Sequence, residues 1–233
     1  NNFTPNNFSV TAGAGNDSLI DTPTPYADGG NGRGNYCTWN PVNKGSNLTL
    51  SNGNLDVSSS SGHATVLTTV GVTSGMKSYM EFTVTTDSAG GWGVTINQAA
   101  ENSYGELTGK WWVYDNNSSF TIINQTATAG YSPRISNNDV LQLAIDYSTG
   151  KVFLGINNVW INSTNGTNGD PATGANPTFT LSTSLPIFPI FESAGLYAAA
   201  NFGQRAFAYT PPSGFLALNT QNLPDPTIKK PSS

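Results

Sequence analysis

Apolar and polar residues alternate with a period of two along much of this chain, in short runs broken by Gly, Asn, Ser and Pro. In "KSYMEFTVTT", Met80, Phe82 and Val84 fall on one side and Tyr79, Glu81, Thr83 and Thr85 on the other. A strand sends successive side chains to opposite faces, so this run predicts a strand with one face in a core. "SNLTLS" pairs Leu48 with Leu50, and "GNLDVSS" pairs Leu55 with Val57. "HATVLTTVGV" is dense in β-branched residues from Thr65 to Val72, "GWGVTIN" follows an Ala-Gly-Gly turn, and "WWVYD" and "FTIIN" come next. "DVLQLAIDYSTGKVFLGINNVWIN" reads as two strands joined by a turn at 147–150. "LPIFPIFES" and "YAAANFG" read as another pair, and "FLAL" as a last short strand. No stretch sustains a helical period or a heptad repeat. Many short strands with Gly-rich turns predict an all-β fold, a two-sheet antiparallel β-sandwich of jelly-roll type rather than a βαβ sheet.

The ends of the chain lack this pattern. The first thirty-odd residues mix short apolar pairs with Gly, Asn, Asp and Pro, and predict irregular structure with one short strand from Phe8 to Thr11. The stretch is too long for a casual loop, so Phe3, Phe8, Val10, Leu19, Ile20 and Tyr26 are expected to pin it to the body of the domain. The tail "NLPDPTIKKPSS" is Pro-rich and apolar-poor, as a linker to a following domain would be. The expected division is a wrapping segment over 1–46, the sandwich over 47–218 and the linker over 219–233.

Composition narrows the functional classes. Only 10% of the 233 residues are charged, so solubility rests on Asn, Ser, Thr and Gly. The net charge is -5 with no basic block, which argues against nucleic acid, whose binding needs clustered Lys and Arg. No apolar run approaches the length of a transmembrane helix, position 1 is Asn and no signal peptide is visible. One cysteine, Cys37, excludes an internal disulfide, and with a single histidine, His63, it leaves structural zinc without ligands. Cys37 reads as a small buried apolar residue and His63 as an ordinary solvated histidine.

Candidate chemistry is sparse. Glycoside hydrolysis on a β-sandwich needs two carboxylates across the scissile bond, and no Glu-x-Asp-x-x-Glu cluster occurs on a strand. A Ser-His-Asp triad would have to use His63, and no serine lies in G-x-S-x-G. Asp170, in "TNGTNGDPATG", offers oxygen ligands of the kind calcium takes, but a single acidic residue predicts a polar loop instead. No enzymatic activity, cofactor or metal is expected.

The ordered set "SGMKSYMEFTVTT", "GGWGVTI", "GKWWVYDNN", "NNDVLQLAIDYSTGKVFLGINNVWIN" and "IFPIFESAGLYAAANFGQRAFAYTPPSGF" resembles the SPRY (B30.2-like) family over roughly residues 47–214. The resemblance implies a bent two-sheet sandwich in which Glu81 is a structural hydrogen-bond acceptor and loops beside the Trp-Tyr strand form the ligand surface. The flanks "PNNFSVTAGAGNDSLIDTPT", "GNYCTWNP" and "PPSGFLALNTQNLPDPTI" resemble segments of bacteriophage tail and fibre proteins. That second resemblance implies a virion domain in a longer protein, which contacts other virion proteins and a host-surface glycan or protein, or serves as a purely architectural spacer. Insertion into a membrane is not expected, and a homo-oligomer within the virion is compatible with both readings.

"GKWWVYDNNSSF" poses the sharpest question. On one strand Trp112 and Tyr114 share a face, and Trp111, Val113 and Asp115 share the other. Alternation does not say which face is the core. Either both tryptophans are buried, one between the sheets and one under the N-terminal segment, or one is part of an exposed aromatic platform for a sugar ring. The ligand-binding candidates are Trp111, Tyr114 and Asp115, with Tyr104 and Trp160 as neighbours; Trp39 and Trp92 are assigned to the core. If Trp111 is core, the long loop 162–177 is the next place to look.

Overall fold

A computed structural model of the chain describes residues 35–60, 62–100, 109–115, 120–124, 126–131, 134–164 and 166–223. The expectations for the first thirty-four residues, for Tyr104 and for the tail beyond Leu223 lie outside these.

Sixteen strands and one 3-10 turn (Thr220–Asn222) form among the described residues. In chain order they are β1 (Trp39–Lys44), β2 (Leu48–Ser51), β3 (Asp56–Ser59), β4 (Ala64–Thr68), β5 (Lys77–Thr86), β6 (Ala89–Thr95), β7 (Lys110–Asp115) and β8 (Phe120–Asn124). There follow β9 (Thr126–Tyr131), β10 (Val140–Asp146), β11 (Lys151–Ile156), β12 (Val159–Ile161), β13 (Phe179–Thr180), β14 (Phe188–Ala194), β15 (Tyr197–Asn201) and β16 (Leu216–Ala217). One sheet runs β1-β4-β14-β6-β7-β8-β9 and the other β12-β11-β10-β5-β15-β3-β2, with β13 on β11 and β16 on β5. Among the described residues every strand–strand pairing is antiparallel except that of β16 with β5, and Ala89 makes one isolated parallel bridge to Gly195.

The inward residues of the two sheets meet in a single core, as alternation predicts. Met80, Phe82 and Val84 from β5, with Leu141, Leu143 and Ile145 from β10, face Val66, Trp92, Val94 and Phe191 of the opposite sheet. Trp39 stacks on Phe82 at 5.3 Å and lies edge-on to Phe202. Trp92 Nε1 donates to the Gln142 carbonyl at 3.0 Å, joining the sheets with a buried hydrogen bond. Cys37 is buried in this core, and burial pushes its thiol up to about 11, so it is inert as a nucleophile.

Each sheet also has an outer apolar layer. Outside the second sheet, Tyr79, Ala144 and Phe153 are covered by Phe215, with Trp160 and Phe207 alongside. Glu81 fixes that cover: its carboxylate accepts from Ala208 N at 2.7 Å, Tyr209 N at 2.9 Å and the Tyr79 hydroxyl at 2.7 Å. Gln142 Nε2 donates to the same hydroxyl at 2.8 Å. Glu81 is thus the structural acceptor that the sequence suggested.

The sandwich extends beyond the expected boundaries at both ends. β1 precedes Asn47, and its Trp39 is wholly buried, so residues 39–44 are an edge strand rather than a wrapping segment. At the other end Cys37 N donates to Leu218 O, and Asn35 N and O both bond Thr220. Residues 219–223 are therefore tied to the body of the domain.

Candidate functional site

β6 and β7 settle the tryptophan question. Trp92 pairs with Val113, and Gly93 with Trp112. Trp111 and Val113 belong to the core between the sheets; Trp111 is 7% exposed. Trp112 and Tyr114 point outward, yet both are buried, and they pack with Leu67 and Ile190. In register, Ile190, Gly93 and Trp112 lie side by side on three adjacent strands. Gly93 offers no side chain, so Trp112 reaches across it to its partners. A Cβ there would come within 2.3 Å of Trp111 O and 2.5 Å of Trp112 Cβ. Both tryptophans are buried, as one of the two alternatives expected; the N-terminal segment expected to cover the second lies outside the described residues.

Asp115 ends β7 wholly buried. It accepts from Ile135 N at 2.9 Å and faces Arg134 Nε at 3.3 Å. A carboxylate in this position needs partners, because an unpaired buried charge is costly. The pairing draws the segment before β10 against the end of β7 and leaves the Arg134 side chain 41% exposed.

Beside Arg134 opens a cleft of about 300 Å³, lined by Arg134, Ser136, Asp139, Ile156, Asn157, Val159 and Ile161. Its apolar wall follows from register. Ile156 pairs with Val159 across the β11–β12 turn, and Ile161 lies two residues further along the same face. Asn157 (φ 50°) and Asn158 (φ 64°) make that turn in the left-handed region, which asparagine tolerates better than most residues. The polar wall is tied down as well. Asp139 accepts from Ser136 N and from Asn157 Nδ2, both at 2.7 Å, and Asn157 Oδ1 accepts from Val140 N at 2.9 Å. Val159, 44% exposed, is one of the few large apolar side chains open to solvent among the described residues. A concave apolar wall with a few fixed polar groups is the usual form of a binding site.

Asp87 lies at the same end of the sandwich, its backbone N–H held by Asn137 Oδ1 at 2.6 Å. Partial desolvation raises its pKa, Arg134 acts the other way, and Asp115 and Asp139 add to the rise. The three carboxylates and the guanidinium therefore share one electrostatic neighbourhood.

A second polar feature lies on the outer face of the first sheet. His63 Nδ1 is 2.6 Å from Glu192 Oε1, and the His63 ring lies 5.8 Å from that of Tyr114. Glu192 is 1% exposed and its Oε2 has no hydrogen-bond partner. Burial pushes the Glu192 carboxyl up to about 7, against the pull of His63 and Lys110. His63 is thus a partner in a buried contact rather than a simply solvated residue.

The residues singled out from sequence do not converge. Trp111 and Asp115 are buried on the inward face of β7, Tyr114 is buried on the outward face, and Tyr104 lies outside the described residues. Trp160 stands on the other sheet, edge-on to Tyr79 at 6.4 Å. In the loop after β12, Asn162, Ser163, Thr164 and residues 176–180 border a shallow polar hollow. Asp170 there is occupied by its own loop, accepting from Ala172 N, Thr173 N and Thr173 Oγ1. Among the described residues no group of three or more His, Cys, Asp or Glu could hold a metal ion. The cleft and the His63–Glu192 pair were both missed from sequence. The one available signal for the cleft was the Asn-Asn pair between two β-branched runs, which marks a tight hairpin.

No protein-family model matches the sequence, and no curated protein matches it. Solved structures do resemble the fold. The SPRY domain of human HERC1 aligns with a TM-score of 0.54 at 13% identity, covering 72% of this chain and 99% of that one. The TRIM65 PSpry domain aligns with a TM-score of 0.52 at 17% identity, covering 72% of this chain and 93% of that one. The chain has the β-sandwich fold of SPRY domains.

Proposed function

We propose that this chain is a non-catalytic recognition domain and that the cleft between Arg134 and Val159 is its docking surface. The observation that carries the reading is the cleft itself: an apolar wall with Val159 left open to solvent, and a polar wall fixed by hydrogen bonds before any ligand arrives. A preorganised site loses less entropy on binding than a mobile one. The fold shared with SPRY domains supports an interaction role. The phage-like phrases in the flanks support a place in a virion appendage, such as a tail fibre or adhesin. There the cleft would meet a protein or glycan on the host surface, or a neighbouring virion protein. Binding of the chain to whole bacterial cells and to a bacterial glycan array tests the reading, with Val159→Asp as the control. Loss of binding in the variant is expected; undiminished binding would move the docking surface elsewhere.

A second reading rests on Glu192. Burial pushes its carboxyl up to about 7, in the range of a general acid, but at 1% exposure it would have to open to solvent before it could protonate a surface polysaccharide. Turnover of host polysaccharide that is lost in Glu192→Gln would establish it.

A further inference from the structure

We infer that the cleft takes a polypeptide segment presenting an aliphatic side chain next to a lysine or arginine. The inference rests on the recognition role proposed above and specifies its ligand class.

The apolar wall selects the anchor. Ile156, Val159 and Ile161 are aliphatic, and among the described residues no aromatic ring lines the cleft. Sugar rings are commonly gripped by stacking their C–H faces on aromatic faces, and the described residues of this wall offer none. At about 300 Å³ the cleft is at the small end of ligand sites, with room for one or two side chains rather than a large cofactor. A leucine, isoleucine or methionine side chain matches the wall in both size and chemistry.

Charge selects the neighbour. Asp139 lines the cleft with Arg134, Asp115 bonds the Arg134 guanidinium, and Asp87 lies near enough to feel the charges of Arg134, Asp115 and Asp139. Arg134 is already engaged with the buried carboxylate of Asp115, so these two offset each other. Asp87 and Asp139 remain, and the chain as a whole is acidic at -5. A cation on the incoming segment offsets that negative charge, whereas an acidic neighbour adds to it. Asp87 is exposed and Asp139 half-buried, so both can meet a mobile lysine without rearrangement of the site.

The test uses the whole chain, isotope-labelled at methyl groups, titrated with three nine-residue Gly/Ser peptides. Their centres carry Leu-Lys, Leu-Glu or Ser-Lys. The Leu-Lys peptide should shift the methyl resonances of Ile156, Val159 and Ile161 and bind about tenfold tighter than Leu-Glu, a preference that weakens with added salt. Ser-Lys should leave the methyls unmoved. Val159→Asp should abolish the shifts, and Asp87→Asn, at an exposed site, should narrow the Leu-Lys preference about threefold with no loss of stability. Equal or tighter binding of Leu-Glu at the same methyls would overturn the charge assignment while leaving the cleft a docking site. Methyl shifts caused by a neutral glycan and by none of the peptides would overturn the polypeptide assignment in the same way. If no probe moves the methyls and Val159→Asp binds cells as well as the parent chain does, the recognition reading falls too.

Discussion

The carboxylate of Asp115, wholly buried at the end of β7, holds the guanidinium of Arg134 at 3.3 Å and the Ile135 amide at 2.9 Å. Nineteen residues separate Asp115 from Arg134, and the β8–β9 hairpin lies between them. This contact fixes one lip of the cleft to the core of the sandwich.

Asp115→Ala should therefore act on both stability and site. Removing one member of a buried charged pair typically costs about 3–5 kcal/mol, and the partly exposed Arg134 places this case toward the lower end. Urea unfolding should report the loss, and methyl spectra of Ile156 and Val159 should broaden or move as the lip loosens. A variant with unchanged midpoint and unchanged methyl spectra would show that Asp115 is dispensable to the cleft.

Trp111→Ala should be a core mutation. Its ring lies between the sheets, so the expected cost is about 3–5 kcal/mol of folding stability, measured by denaturant unfolding. A loss below about 1 kcal/mol would indicate an exposed ring.

Gly93→Ala tests the layer outside β6 and β7. The added methyl would meet backbone and side-chain atoms of Trp111 and Trp112 at 2.3–2.5 Å, closer than atoms can approach. The strands must part, at a cost of about 1–3 kcal/mol or more in thermal or urea unfolding. A neutral substitution would mean that Trp112 does not depend on the open strand position beside it.

How much of this was legible in the sequence depended on whether neighbours in space were neighbours in sequence. β5 and β10 could be read directly, because "KSYMEFTVTT" and "DVLQLAIDY" alternate and one face of each enters the core. β1 was missed: "WNPVNK" contains Pro41 and exposes its middle, so only Trp39 signals burial. β12 was fused to β11 because the Asn157-Asn158 turn is only two residues long. In β7 all six residues are buried, so alternation could not rank its two faces. The site was less legible than the fold. Asp115–Arg134 and His63–Glu192 are contacts across 19 and 129 residues, made by sheet topology and carrying no local spacing. Val159 reads as one more β-branched strand residue until β12 is placed at the sheet edge.

The burial of Glu192 predicts a pH dependence. Glu192 titrates near 7 in the folded chain against an ordinary value of 4.5. The folded state thus holds a proton that the unfolded state releases earlier. The stabilisation is fully present below about 4.5 and is lost as pH rises through about 7, a span of roughly 3 kcal/mol. Urea midpoints at pH 5 and pH 8 should differ in that sense for the parent chain, and the difference should shrink in Glu192→Gln. Equal pH slopes in the two proteins would remove Glu192 as the cause.

The central claim, recognition through the end cleft, is tested most directly at Val159. Its side chain is 44% exposed, so Val159→Asp should leave the thermal midpoint within a degree or two of the parent value. Measured side by side on a panel of whole bacterial cells, the variant should lose at least about tenfold in affinity, as expected when an anchor contact is removed. A folded Val159→Asp chain that binds as tightly as the parent would contradict the account.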